Sequence, residues 1–216
     1  MIKNILLIIP LIITVFTYLR ILILKISNKN NHIEKYSSFD LSKELTSNYD
    51  EINIIESKEI YLSKYNLKRR VIKLTPKTYN ATDYYNLSIS GILSGYSLIN
   101  INKDKYLRTL SYIFKNINYL TKSIILSLII SIFTNTIGDA KFSLILLSII
   151  TIYEYFLVNI NESAKNNIKE ELKKVIKKEE YQSITKIINT LIQANTIFFI
   201  TNLILILRLI LMILKM

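Results

Sequence analysis

The stretch SISGILSGYSLIN, Ser88 to Asn100, is where residue types and spacing in this chain come closest to an enzyme signature. Small residues and a glycine sit where a helix would pack tightly, but the residues that would hold a metal are missing. The chain has no cysteine and a single histidine, His32. Thiolate chemistry, disulfides and any paired-histidine metal site are therefore excluded by composition. A Ser–His pair using His32 has no supporting pattern, and His32 reads as an ordinary surface residue. With only 3 glycines there is no Gly-rich phosphate loop, and neither a nucleophile elbow nor an acidic metal cluster is present. Of the carboxylates near the apolar segments, Glu154 is suited to a polar contact between spans, and Glu162 opens a charged helix.

The elements that must position this stretch are apolar and basic. The 216 residues are enough for one domain, 50% are hydrophobic, mean hydropathy is +0.31 and formal net charge is +12. Ile, Asn and Lys dominate, all with AT-rich codons, so part of the basic charge follows composition, and nucleic acid is not an expected partner. The run NLKRRVIK suits either a solvated strand edge or contact with anionic headgroups.

Hydropathy predicts about four transmembrane helices. The first is an uncleaved anchor over residues 1–25, kinked at Pro10, with Arg20 in its last turns. A hairpin over 119–160 follows, its spans beginning near Ser123 and Phe142 and joined by NTIGDAK. A closing helix occupies 193–216. About sixteen Lys and Arg lie between Lys25 and Lys122 and about seven between Lys165 and Lys186, whereas the hairpin turn has almost none. Both rich segments are therefore expected in the cytoplasm and both termini outside. The first, 26–118, reads as an α+β unit: a short helix capped by Ser38 or Asp40, small strands in INIIES, KEIYLS and RRVIKLT, and a helix over 82–100 capped by Thr82 or Asp83. The second, 161–192, reads as a charged helix with Glu170/Lys174 and Glu171/Lys173 on a solvated face. Tyr84 and Tyr85 suit interfacial anchoring.

This order of elements resembles the YugP-like family of membrane zinc metallopeptidases. YLSKYNLKRRVIKLTPKTYN is similar to the family's strand entry to its catalytic helix, including Tyr79. NINESAKN is similar to its third-ligand helix, with Asn161 and Ser163 at matching polar positions. LIQANTIFFITNLILILRLILM is similar to its closing span, with Ala194 and Arg208 in register. The likeness runs over nearly the whole chain, mostly through pattern and a few identities.

The family's catalytic helix carries His-Glu-x-x-His. Residues four apart share a helix face, so two imidazoles bind one zinc, and the intervening glutamate polarises its water. On this chain the motif falls on ILSGY. Ile92 and Tyr96 take the histidine positions, Leu93 the general base, Ser94 the variable position, and Gly95 is retained. The third-ligand glutamate falls on Asn159. Ile92 and Leu93 offer no lone pair, Tyr96 could bind only as a phenolate, and Asn159 is a weak neutral donor.

The expectation is a mainly α integral membrane protein with a small cytoplasmic α+β unit and a zincin-like helix with a degenerate metal site, in the bacterial plasma membrane. The implied function is that of a pseudopeptidase: no catalytic residue or zinc ligand intact, Gly95, Asn161, Ser163 and Arg208 kept as scaffold, and a former groove that binds a membrane-protein or peptide partner. The alternatives are a non-enzymatic membrane scaffold unrelated to peptidases, and an active peptidase with atypical ligands. No cofactor is expected, although the family resembled uses zinc.

Overall fold

The structure is a computed structural model that describes residues 2–49, 52–58, 63–66, 69–101 and 137–213. The elements are α1 (Ile2–Ser27), α2 (Ser38–Leu45), β1 (Asn53–Glu56), β2 (Lys64–Asn66), β3 (Val71–Leu74), α3 (Pro76–Tyr79), α4 (Tyr84–Ile101), α5 (Ile137–Val175) and α6 (Lys178–Ile213). The molecule is thus mainly helical with one small sheet. The chain divides into two compact units: Met1–Leu19, Ile113–Val158 and Gln193–Met216 in one, Arg20–Tyr112 and Asn159–Ile192 in the other.

In the first unit, α5 and α6 meet through Leu147 and Ile150, with Leu144, Leu205 and Ile206 packed against them. Glu154 makes the polar contact its position suggested, accepting a hydrogen bond from Asn202 Nδ2 at 2.6 Å. Thr151 and Thr201 are buried, and each donates its hydroxyl to the carbonyl four residues earlier, so neither adds an unpaired polar group. α1 contains Pro10 as expected, and Ile12, Val15, Phe16 and Leu19 stay exposed along it.

A membrane span needs about 20 consecutive apolar residues. Among the described residues one helix, within Lys178–Arg208, is long and apolar enough to cross a membrane. The expected count of about four spans is therefore not carried by the described elements. The expected span that begins at Ser123 lies, as far as residue 136, outside the described residues.

The second unit holds the sheet and α4. Strand order is β1-β3-β2, with β1 parallel and β2 antiparallel to β3. The strand sought in KEIYLS is found later, at Lys64–Asn66, and residues 59–62 of that motif lie outside the described residues. Arg70 has a positive φ of 51°, so the reversal into β3 places a non-glycine residue in the left-handed region. The cap of α2 is Ser37 rather than Ser38 or Asp40. Its Oγ accepts from Asp40 N–H at 3.1 Å while Asp40 Oδ2 accepts from Ser37 N–H at 3.2 Å, a complete capping box. Ser38 instead faces inward and donates to the Ala81 carbonyl.

The segment read as one charged helix is two. α5 ends at Val175 and α6 begins at Lys178, so residues 161–175 and 178–192 pair across a turn. Ile168, Leu172 and Ile176 recur every four residues on one arm, and Ile184, Ile188 and Ile192 on the other. Both stripes close on Ile33, Leu41, Leu45, Leu87 and Leu98. The charged residues lie on the opposite face, where Lys174 pairs with Glu171 at 2.7 Å.

Candidate functional site

α4 is fixed at its N-terminus by Asp83. Asp83 Oδ1 accepts from the Asn86 N–H at 3.0 Å, as an N-cap does, and Oδ2 accepts from Asn86 Nδ2 at 2.7 Å. Asn86 Oδ1 in turn accepts from Thr78 Oγ1 at 3.1 Å. Thr75 caps α3 at the end of β3, with Pro76 at its first position. The sheet thus feeds a short turn that is hydrogen-bonded to the first turn of α4.

The lone histidine also lies here. His32 Nδ1 is 3.1 Å from Thr82 Oγ1, and His32 forms an isolated bridge with Asp83. It is exposed, as expected, but it ties the segment after α1 to the start of α4, fifty residues away in sequence. Tyr85, in the first turn, has its phenol pushed up, chiefly by burial and then by the charge of Asp83. The Lys25 ammonium lies 5.8 Å from its ring centre.

From this start α4 presents three surfaces. Leu87, Leu98 and Ile92 join the core formed with α5 and α6. Leu93 joins Tyr65, Ile72 and Leu74 of the sheet. Ile99 and Tyr96 meet Ile160 and Ala164 of α5. Such a three-sided environment requires small residues between the large ones. Ser88, Ser90, Ser94 and Ser97 are fully buried. Each donates its hydroxyl to a carbonyl three or four residues earlier, so none is poised as a nucleophile.

At Gly95, α4 lies tight against α5. A Cβ there would lie 2.6 Å from the Ala164 carbonyl oxygen, a backbone atom that cannot swing away. Gly91 differs, since its Cβ would meet Ile188 at 3.6 Å in ordinary contact. Beside Gly95, the Tyr96 hydroxyl donates to Asn161 Oδ1. Asn161 is fully buried, and its Nδ2 has no hydrogen-bond partner among the described residues.

The contact expected at Asn159 is therefore made by Asn161. Successive helical residues are 100° apart, so residues 159 and 161 point to nearly opposite sides. The α4-facing stripe of α5 is Ile160, Asn161 and Ala164, and Asn159 is exposed. Ser163 is half-buried, and Arg208 belongs to the other unit. The resemblance put Asn159 at the ligand position and Asn161 at a scaffold position, and in the structure it is Asn161 that faces Tyr96.

This donor set does not fit zinc. Ile92 and Leu93 end in carbon, and both are packed into apolar cores. The Tyr96 hydroxyl keeps its proton to bond a neutral amide. One turn along α5, Glu162 pairs with Lys165, and Lys169 has its ammonium pushed down by burial and by Lys165. Among the described residues no three His, Cys, Asp or Glu side chains converge to hold a metal. A cavity of about 590 Å³ is lined by His32, Glu34, Lys35, Tyr36, Val175, Lys177 and Glu180 and does not include the Tyr96 pair. Compared with known proteins, the chain matches no family model, no curated protein and no solved structure.

Proposed function

We propose that this chain is a non-catalytic membrane scaffold of the YugP-like metallopeptidase type, in which a neutral hydrogen bond and close helix packing stand where a zinc ion would join two helices. The observation that carries this reading is the crossing of α4 and α5. Gly95 lies against the Ala164 backbone, and the Tyr96 hydroxyl, at the position the resemblance gives the second metal ligand, bonds Asn161, two residues beyond the third-ligand position Asn159. Zinc hydrolysis needs a bound, activated water, and neither Leu93 nor Ile92 can activate or hold one. On this reading the protein binds a peptide or membrane-protein segment without cutting it. α1, the pair of spans up to residue 160, and the outer half of α6 form its four-span membrane part, in a bacterial plasma membrane with the basic segments cytoplasmic. The exposed apolar residues of α1 and the apolar run of α6 support that placement.

The test is to rebuild the site. The Ile92→His, Leu93→Glu, Tyr96→His, Asn161→Glu variant should bind one zinc by elemental analysis, whereas wild type should bind none. A rebuilt, folded variant that binds no zinc favours a scaffold unrelated to peptidases. Stoichiometric zinc in wild type, with chelator-sensitive cleavage of an unstructured substrate, would establish a peptidase with atypical ligands.

A further inference from the structure

Lys64, Lys68, Arg69, Arg70, Lys73 and Lys77 fall between Ser63 and Thr82, a stretch with no acidic residue. Elsewhere in the same unit the charges are mixed. Residues 161–192 carry five glutamates among seven lysines, and Lys165 and Lys174 each pair with a glutamate. Lys68 lies outside the described residues; the sheet sets where the others stand. Ile54, Tyr65, Ile72 and Leu74 form its inner face and pack with Leu93 of α4. Neighbours along a strand alternate sides, so Ile55, Lys73 and Lys64, aligned across the three strands, lie on the outer face. No acidic residue of the strands shares that face. Lys64 and Lys73 are direct cross-strand partners, and like charges directly opposite each other destabilise a strand pair. Ile55 at the end of this row is exposed. Arg69 and Arg70 stand in the reversal between β2 and β3, and Lys77 follows in α3, with Arg69 and Lys77 exposed.

This face is complementary to a broad negative surface, which would relieve the opposition of its two lysines. The same unit ties it to the end of α1. Four residues past Lys77, the Ala81 carbonyl accepts from Ser38 N–H at 2.8 Å, and the Thr82 carbonyl accepts from Ile33 N–H at 3.0 Å. The Asn31 carbonyl accepts from Tyr84 N–H at 3.0 Å, and Asn31 is four residues past Ser27, where α1 ends. With α1 as a span, the basic run is tethered where the chain leaves the bilayer. Clusters of about four to eight Lys and Arg held beside a span recognise anionic headgroups. Single-stranded nucleic acid is the rival polyanion, and its binders stack bases on aromatic side chains. Tyr65, the aromatic residue of these strands, is turned inward and 9% exposed.

We infer that the outer face of this sheet, with its β2–β3 reversal, docks on the anionic phospholipid headgroups of the bilayer that α1 enters. The inference rests on the membrane placement proposed above. It is tested with full-length Asn53→Cys protein, labelled with a fluorophore on that outer face and placed in nanodiscs. The discs contain phosphatidylcholine alone or mixed with phosphatidylglycerol, and both carry a nitroxide-headgroup lipid as quencher. Quenching should be roughly twofold or more stronger with phosphatidylglycerol. The difference should vanish in about 1 M salt, where the Debye length is about 3 Å, and in the Arg69→Gln, Lys73→Gln, Lys77→Gln variant. Equal quenching in the two lipids overturns the docking. Should the triple variant not fold, the salt series on the parent protein decides, and a difference that persists in high salt overturns the electrostatic contact. Binding of a single-stranded RNA oligonucleotide that needs these three side chains, without any lipid preference, overturns the lipid as occupant. A chain that does not enter the discs overturns the membrane placement and this inference with it. One that enters them without lipid dependence overturns this inference alone.

Discussion

At Gly95, one hydrogen atom in place of a methyl group decides whether α4 can reach α5. Gly95→Ala forces a Cβ to 2.6 Å from the Ala164 oxygen, and relief requires moving a helix backbone. The expected cost is about 1–3 kcal/mol, as for other overpacked core sites. Gly91→Ala meets only ordinary contacts and gains helix propensity, so it should be neutral or stabilising by up to about 1 kcal/mol. Thermal unfolding followed by circular dichroism separates the two, and equal behaviour of both variants would contradict the close approach. The neighbouring pair gives a second residue-scale prediction. Tyr96→Phe leaves the buried Asn161 amide without the bond seen here and should cost about 1–3 kcal/mol. Asn161→Leu alone removes this acceptor from the tyrosine hydroxyl. The double variant should be less destabilised than the sum of the singles, and a denaturation double-mutant cycle measures the coupling.

Among the elements, α2 and the turn at Ile176–Lys177 shape the second unit. α2 has only 8 residues, too short to be stable alone, and its start depends on the reciprocal Ser37–Asp40 bonds. Ser37→Ala should lower stability by about 0.5–2 kcal/mol, whereas Ser37→Asp should be nearly neutral. Equal unfolding midpoints for wild type and Ser37→Ala would show that packing of Leu41 and Leu45 alone sets the helix. The turn matters differently. A reading by charge alone joined residues 161–192 into one helix, because the lysines and glutamates run through it without Gly or Pro. The aliphatic stripes on the two arms lose water only by folding onto each other and onto α4, and that burial rewards the break. The strands show the same limit. Short runs rich in Ile, Val and Tyr marked a sheet, but not which residues of KEIYLSKYN would pair with β3.

For the whole molecule, the membrane placement yields a direct experiment, since the chain has no cysteine of its own. Single cysteines at Asn31 and Lys177 should be labelled by an impermeant maleimide only after the cells are opened, and one at Asp139 should be labelled in intact cells. Labelling of Lys177→Cys from outside would invert the expected topology. Carbonate-washed membranes should retain the full chain, and its release would show that the apolar helices form a soluble core.

The sequence by itself determined which chemistry is absent. With one histidine and no cysteine, no arrangement of this chain makes a paired-histidine or thiolate site, because side-chain donors are a matter of composition. It also determined the helical character, the presence of a small sheet and the close-packing role of the small residues around Gly95, since these follow from local periodicity and side-chain size. Tertiary structure alone decided that Asn161 rather than Asn159 faces Tyr96, that His32 joins Thr82 at the start of α4, and that Arg208 is buried with its Nε and Nη1 unbonded among the described residues. The reason is that each depends on which side of a helix meets another segment far along the chain. A rotation of 100° per residue moves that side completely within two positions, and only the packing of the other segments sets it.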